Sequence, residues 1–139
     1  MAELRLVIPG PPRTKKTSNR VVRIGTRGRC PACKQQIGGR PLVLPSEAWE
    51  AWRDANLPWL RQAAAKIGAC PLRVPVNCAA IFFRDAARGD AVGYYQGLAD
   101  LLQEAGVVID DRWIETWDGS RIQVDHDRPR TEVTLTWLG

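Results

Sequence analysis

The chain has 139 residues, of which 45% are hydrophobic and 25% charged, and it carries a formal net charge of +5. This length and balance are typical of one soluble globular domain with its own core. No apolar run approaches the roughly 18–20 residues needed to cross a bilayer, and the N-terminus lacks the pattern of a signal peptide. We therefore expect no membrane partner and a cytoplasmic location. The basic balance favours nucleic acid or an acidic surface as the partner.

The first part of the chain is predicted to be extended. Leu4–Ile8 alternates in part between apolar and polar residues and is stopped by Pro9–Pro12, which predicts a strand followed by a turn. Residues 21–24 and 40–44 are predicted to be short extended pieces. Residues 26–40 are predicted to form a variable basic loop.

The first helix is predicted to begin after Ser46, because serine is favoured at the N-cap. It is predicted to run toward Gly68, with a kink or a break near Leu57, because Pro58 cannot donate a helical hydrogen bond. Its predicted buried face consists of Trp49, Trp52, Leu60, Ala63 and Ala64.

The second part of the chain is predicted to alternate strands with one more helix. Apolar alternation predicts a strand within residues 72–84, and the helical period with Gly106 as a C-terminal signal predicts a helix over residues 91–105. Further strands are predicted at about residues 113–117, 120–124 and 131–138. This order predicts an α/β domain built on a mixed β-sheet with two main helices.

Four aspartates bracket the second helix: Asp90 at its start, Asp100 within it, and the Asp110–Asp111 pair after it. Carboxylates brought together suit Mg²⁺ or Mn²⁺ chemistry on phosphates, because hard divalent ions prefer oxygen ligands. Asp90 also suits a helix N-cap, and the pair suits a charged turn. Gly93 and Gly97 each cost about 1 kcal/mol inside a helix, which predicts close approach by another backbone, from a partner subunit or DNA.

The run from Arg88 to Asp111 resembles the core of the RusA-type Holliday junction resolvases. That family's pattern reads approximately D-x-D-N-x-x-K-x-x-x-D-x-L-x-x-A-G-x-x-x-D-D. The positions that match it without a gap are Asp90, Asp100, Leu102, Ala105, Gly106, Asp110 and Asp111. The flanking segments are also similar, namely the basic stretch after Pro9, the helix start at Ser46 and the final strand, so the resemblance covers nearly the whole chain.

The resemblance implies a single RusA-like domain over residues 1–139 that forms a homodimer and cuts four-way DNA junctions with Mg²⁺ or Mn²⁺. It assigns catalysis to Asp90, Asp110 and Asp111, with Asp90 and Asp111 as metal ligands. The similarity is closest to phage-type members, so the expected location is the cytoplasm of a bacterium or of a phage-infected host cell.

Three positions depart from the family pattern. Val92 stands in place of the second aspartate, Gly93 in place of the asparagine and Gln96 in place of the lysine. Valine cannot ligate a metal, and glutamine cannot supply the positive charge that stabilises a transition state. A catalytically degenerate relative that binds branched DNA without cutting it is therefore the alternative hypothesis.

Cys30 and Cys33 form a CxxC pair in the basic loop, which is half of a typical zinc site. A zinc ion held there would need further ligands from Cys70, His126 or a second subunit. A zinc-loop adaptor that binds DNA or protein is a third hypothesis, although a loop without zinc is the favoured interpretation.

Positive charge is concentrated near the N-terminus, where residues 13–29 contain seven cationic residues and no acidic one. Such a run exceeds a normally mixed surface and predicts contact with phosphates. The predicted DNA-binding residues are Lys15, Lys16, Arg20, Arg23 and Arg88.

Overall fold

The computed structural model describes residues 1–15, 20–29, 36–44, 46–86 and 89–139, and over residues 20–43 it describes the backbone alone. In chain order the elements are β1 (Ala2–Pro9), β2 (Arg20–Arg29), β3 (Gln36–Leu44), α1 (Glu47–Ala65), β4 (Val76–Arg84), α2 (Ala91–Glu104), a 3₁₀ turn (Asp111–Trp113), β5 (Ile114–Thr116), β6 (Arg121–Val124) and β7 (Arg130–Trp137).

The sheet that carries the core is mixed, as predicted. β7 lies between β1 and β4 and is antiparallel to both. β5 and β6 both run parallel to β4 on its other side, β5 beside Val76 and Asn77 and β6 along Ile81–Arg84. The five strands and the two helices make this a small α/β domain.

One face of the sheet is buried beneath the helices. Alternate residues of β4 and β7 are buried, and the register sets Cys78 opposite Leu135 and Ala80 opposite Val133. The buried side chains of α1 and α2 belong to the same apolar cluster, and the Tyr94 ring of α2 stacks on Phe82 of β4 at 5.1 Å between centroids. The helices therefore cover this face, since residues two apart along a strand point the same way.

Helix α1 begins at the predicted place but does not break at Pro58. Ser46 is its N-cap and accepts a hydrogen bond from the backbone N–H of Trp49, and the helix continues to Ala65. Trp49 lies before the proline and Leu60 after it, and both are buried in the same core. Packing on both sides of Pro58 therefore offsets the helical cost of proline, which is roughly 3 kcal/mol. The predicted break near Leu57 is therefore wrong, and the alternative, a kink there, stays a prediction.

Strands β2 and β3 are longer than the sequence predicted. They form a separate two-stranded antiparallel sheet, from Arg20 opposite Leu44 to Arg29 opposite Gln36. Much of the predicted variable loop at residues 26–40 is thus extended and paired. Glycine lowers the strand propensity of this stretch and hides it from sequence patterns, but a partner strand supplies the backbone hydrogen bonds.

The later elements lie close to their predicted positions. Helix α2 ends at Glu104, Ala105 is its C-cap, and Gly106 follows with a φ of +77°. That left-handed backbone is costly for residues with a Cβ atom, so glycine suits this position. Within the described residues, no helix has the length and apolar character needed to cross a membrane.

Candidate active site around helix α2

The start of helix α2 forms a groove that is occupied by the chain's own N-terminal segment. A Cβ atom at Gly97 would lie 2.9 Å from the carbonyl oxygen of Arg13, and one at Gly93 would lie 2.9 Å from Cγ2 of Thr14. Both distances are too short for a side chain to be accommodated without movement. A backbone does approach Gly97 closely, but it is that of Arg13 in the same chain rather than that of a partner subunit or DNA, and Gly93 meets the Thr14 side chain.

The N-terminal segment that occupies this groove is hydrogen-bonded to the start of helix α1. The Ser46 hydroxyl donates a hydrogen bond to the carbonyl oxygen of Thr14 at 3.0 Å, and the Ser46 backbone N–H donates to that of Lys15 at 3.1 Å. Thr14 and Ser46 are both buried. The position of Lys15 is therefore set by both helices rather than by a free loop.

Lys15 is directed at the middle of helix α2. Its ammonium group lies 2.8 Å from Oδ2 of Asp100 and 4.7 Å from the centre of the Trp49 ring. The Trp49 indole N–H in turn donates to the Gly97 carbonyl oxygen at 3.2 Å. An ion pair and a cation–π contact hold the lysine beside a carboxylate that the sequence placed near the metal site.

Asp90 is the N-cap of helix α2. Its Oδ1 accepts a hydrogen bond from the backbone N–H of Gly93 at 2.7 Å, and its backbone is extended. The plainer role predicted for this residue is thus present. Along the helix axis, ten residues correspond to about 15 Å, which separates Asp90 from Asp100.

The Asp110–Asp111 pair is placed by the segment before it. Val107 and Val108 are buried, and backbone hydrogen bonds join Val107 and Ile109 to Leu72 at 2.9 and 3.0 Å. The backbone N–H of Asp111 also donates to Oε1 of Gln103 at 2.9 Å. These contacts fix the pair beside the C-terminal part of α2.

The two carboxyl groups of the pair are tuned in opposite directions. A hydrogen bond from the Arg112 backbone N–H lowers the pKa of Asp110. Partial burial raises the pKa of Asp111, and a hydrogen bond with Asp110 and the negative charges of Asp110 and Asp100 raise it further. A carboxyl group whose pKa is raised by neighbouring negative charge marks a place where a cation is favoured.

The structure therefore groups the predicted residues differently from the resemblance. Asp111 is hydrogen-bonded to Asp110, and the charge of Asp100 is near enough to raise the pKa of Asp111, whereas Asp90 lies at the start of α2. In the part of the chain that the structure describes, no three His, Cys, Asp or Glu residues are arranged as a ready-made metal site. Mg²⁺ can be bound through one or two carboxylates with waters and substrate phosphates completing its shell. The Asp110–Asp111 pair is suited to that mode.

Two of the three positions that depart from the family pattern, Val92 and Gln96, face solvent on α2. Val92 is 62% exposed, and Gln96 is exposed one turn further along. Gln103 lies on the same line of the helix surface, since residues at i, i+4 and i+11 nearly coincide in angle. Val92 and Gln96, where the family pattern has an acid and a lysine, thus lie on the same helix face as Gln103, whose side chain accepts from the Asp111 backbone N–H.

Several predicted residues lie outside the described side chains. Arg20 and Arg23 lie in strand β2, where the structure describes only the backbone. Lys16, Cys30, Cys33 and Arg88 lie outside the described residues, so the zinc hypothesis and their DNA contacts stay predictions.

The sequence did not single out Trp49 or Gln103 as parts of this site. Trp49 was predicted to be buried, and only the fold brings its ring to Lys15. Gln103 lies seven residues beyond Gln96, two turns of helix apart, so helical spacing could have indicated it.

No protein-family model matches this chain, and no curated protein matches it. The described geometry is thus the observation from which its function has to be inferred.

Proposed function

We propose that this protein is a Mg²⁺- or Mn²⁺-dependent endonuclease of the RusA type that cuts four-way DNA junctions as a homodimer. The observation that carries the proposal is the carboxylate group around Asp111. Partial burial raises the pKa of Asp111, and the hydrogen bond with Asp110 and the charges of Asp110 and Asp100 raise it further, which supports a divalent cation site. The pattern shared with the resolvases adds the substrate class.

Asp110 and Asp111 would hold the metal ion. A divalent ion bound there supplies a nucleophilic water and neutralises charge on a phosphate. Oxygen donors are suited to Mg²⁺, which typically completes its shell with waters and substrate phosphate oxygens when a protein supplies one or two carboxylates. Asp90 is also an expected ligand from the resemblance, although it lies about three turns of helix away from Asp100.

Lys15 supplies the positive charge of the proposed site. The Lys15 side chain is 32% exposed and its ammonium group lies beside Asp100, so the side chain is partly accessible to a phosphate. A fixed cation stabilises the negative charge that develops on a phosphate during attack. The residue would position the DNA backbone next to the Asp110–Asp111 pair.

A second candidate function is binding of branched DNA without cleavage. The observation that favours it is the exposed Val92 side chain, which cannot ligate a metal at the position where an acid was expected. The pairing of Lys15 with Asp100 also neutralises one carboxylate.

Metal binding separates these two functions without any measurement of activity. We would record the thermal midpoint of the wild type and of Asp111→Asn with and without 10 mM Mg²⁺ or Mn²⁺, because a ligand that binds only the folded state raises that midpoint. The enzyme hypothesis predicts a rise for the wild type alone. Equal rises in both proteins would place the ion elsewhere.

Junction cleavage then tests the reaction itself. A labelled four-way junction is incubated with protein and Mg²⁺ or Mn²⁺, and binding is followed in parallel. Metal-dependent, symmetric nicking by the wild type supports the endonuclease. Tight binding with no nicking supports the second function, and no binding at all rejects both.

A further inference from the structure

The net positive charge of the protein resides in one segment. Residues 13–44 contain nine lysines and arginines and no acidic residue, so the remaining residues carry eleven cations and fifteen acids, a net charge of −4. A polyanion that approaches the protein is therefore attracted to this segment and repelled on average by the rest.

This segment is organised as a β-ribbon with a closed base. Strands β2 and β3 pair with each other in antiparallel register. Before β2, the chain is held in the glycine groove, and after β3 the backbone N–H of Ser46 bonds to the Lys15 carbonyl oxygen at 3.1 Å. The two ends of the excursion between Lys15 and Ser46 thus meet at α2, beside the Lys15–Asp100 ion pair.

Apolar and cationic residues are distributed unevenly along the ribbon. Its base pairs Val21 with Val43 and Val22 with Leu42. The outer half, Gly25–Arg29 opposite Gln36–Gly39, contains four glycines and two arginines and only one apolar residue that is not glycine. That half has too few apolar side chains to pack on a core, and its glycines let other groups approach the backbone closely.

The cations are not confined to one face of the ribbon. Arg23 is opposite Pro41, and Arg40 is opposite Ile24 in the neighbouring register position. Because successive residues of a strand lie on opposite faces, these two arginines belong to opposite faces of the ribbon. The pairing shifts register between Thr26 and Gly28, which places Arg27 at a bulge. A bulge twists a ribbon more strongly and redirects a residue.

From this placement we infer that the β2–β3 ribbon is an arm that lies along duplex DNA next to the carboxylate site. The inference rests on the proposed function, because it takes branched DNA as the partner. A strand of ten residues is about 33 Å long, close to one turn of B-form DNA at about 34 Å. A two-stranded ribbon fits the major groove, and a ribbon with cationic residues on both faces is complementary in charge to the two phosphate walls of that groove.

The test compares two triple variants with the same change in charge. The ribbon variant carries Arg23→Gln, Arg27→Gln and Arg29→Gln. The control carries Arg61→Gln, Lys66→Gln and Arg73→Gln at exposed positions outside the basic segment. A third protein with Arg23→Lys, Arg27→Lys and Arg29→Lys keeps the ribbon charge. Thermal midpoints of all four proteins establish that each is folded.

Binding of a four-way junction and of a linear duplex with the sequence of one arm is measured over a salt series without metal. Each phosphate contact contributes about 0.9 to the slope of log K against log salt. We expect the ribbon variant to lose about 2 to 3 from that slope and at least tenfold in affinity. The control and the lysine variant should stay within about threefold of the wild type.

Three outcomes would overturn the arm. The first is an unchanged slope in the ribbon variant. The second is an equal loss in the control, which would reduce the effect to net charge. The third is tighter ribbon-dependent binding to an RNA duplex of the same sequence, which would replace DNA as the partner.

The outcomes for the arm and for the enzyme are distinguishable. Ribbon-dependent DNA binding by a wild type that never nicks junctions rejects the enzyme and keeps the arm. Metal-dependent nicking that is the same in the ribbon variant and the wild type rejects the arm and keeps the enzyme.

Discussion

At the residue scale, the most informative group is the carboxyl of Asp111. Its pKa is raised mainly by partial burial and further by the nearby Asp110 and Asp100 carboxyls. Two of its neighbours thus carry the same charge, an arrangement that stability alone does not favour. Carboxylates that oppose each other's ionisation are common at functional sites, where a substrate or a cation supplies the missing charge.

The raised pKa predicts how Asp111→Asn changes stability with pH. Because folding raises the pKa, the ionised side chain destabilises the fold above that pKa, and protonation removes the penalty as the pH falls. The asparagine amide can also donate to Asp110, as the protonated acid does. We expect Asp111→Asn to unfold at a higher temperature than the wild type at pH 7, with the difference closing toward pH 4. Thermal unfolding over pH 3.5–8 measures this effect.

A variant that is less stable than the wild type at every pH would show that the Asp111 carboxylate is stabilised by its surroundings. The carboxylate group would then not be the setting of a cation site.

Asp90 also predicts a specific pair of variants. Asparagine caps a helix as well as aspartate does, whereas replacement by alanine costs about 1 kcal/mol. The hydrogen bond from Gly93 to Oδ1 is the contact at stake. We expect Asp90→Asn to keep wild-type stability and Asp90→Ala to lose about 1 kcal/mol in denaturant unfolding. Equal stability of all three proteins would contradict the capping role.

The same two variants separate capping from metal binding. If Asp90 serves only as a cap, Asp90→Asn retains metal-dependent nicking. If it is also a metal ligand, as the resemblance implies, Asp90→Asn loses nicking although the protein remains folded.

At the element scale, the most informative packing contact is the crossing of the N-terminal segment over helix α2. Gly93 and Gly97 leave space for Thr14 and for the Arg13 carbonyl oxygen. Trp49 closes the crossing from α1 through its bond to the Gly97 carbonyl oxygen. This one crossing thus positions Lys15 beside Asp100, and it also positions the base of the ribbon.

Gly97→Ala tests that crossing. Its Cβ atom would lie 2.9 Å from the Arg13 carbonyl oxygen and 3.0 Å from the Trp49 indole nitrogen, and overpacking of this kind costs about 1–3 kcal/mol. The gain in helix propensity returns about 1 kcal/mol. We expect an overpacking cost near the upper end of that range, about 3 kcal/mol, because a backbone oxygen cannot move aside easily. After the gain in helix propensity, the expected net loss in the free energy of unfolding is about 2 kcal/mol, measured by denaturant unfolding.

Gly68→Ala is the matched control, because a Cβ atom there meets nothing within 4 Å. It should leave stability unchanged or raise it slightly, since alanine reduces the entropy of the unfolded chain. A Gly97→Ala protein as stable as this control would show that the N-terminal segment does not pack in the groove as described.

At the scale of the whole molecule, the protein combines an acidic body with a basic segment. The body carries the mixed sheet, the two helices and the carboxylate group, and the basic segment carries the ribbon. This separation of charge suits a protein that orients a polyanion before acting on it.

The sequence predicted the parts of the fold that local patterns encode. The start of α1 at Ser46 and the end of α2 before Gly106 follow from capping chemistry, and the strands follow from alternation. Pro58 shows where local reasoning fails, because tertiary packing on both sides maintained the helix. The ribbon shows the converse, since its pairing depends on a partner strand that a single stretch of sequence does not reveal.

The candidate site was predicted by residue type rather than by arrangement. The resemblance named Asp90 and Asp111 together, whereas in the structure Asp111 is hydrogen-bonded to Asp110 and its pKa responds to the charge of Asp100. Linear spacing cannot show this, because the segment after α2 turns back through its bonds with Leu72. The Lys15–Asp100 pair depends on residues 85 positions apart in sequence.

The central claim is that the Asp110–Asp111 carboxylates support metal-dependent cleavage of branched DNA. The most direct measurement is single-turnover nicking of a labelled four-way junction in Mg²⁺ and Mn²⁺ by the wild type and by Asp111→Asn, with junction binding measured on the same samples. We predict nicking by the wild type only with metal, a loss of at least about 10²-fold in the variant, and equal binding by both. Nicking at the same rate by both proteins, or none by a wild type that binds the junction, would contradict the claim.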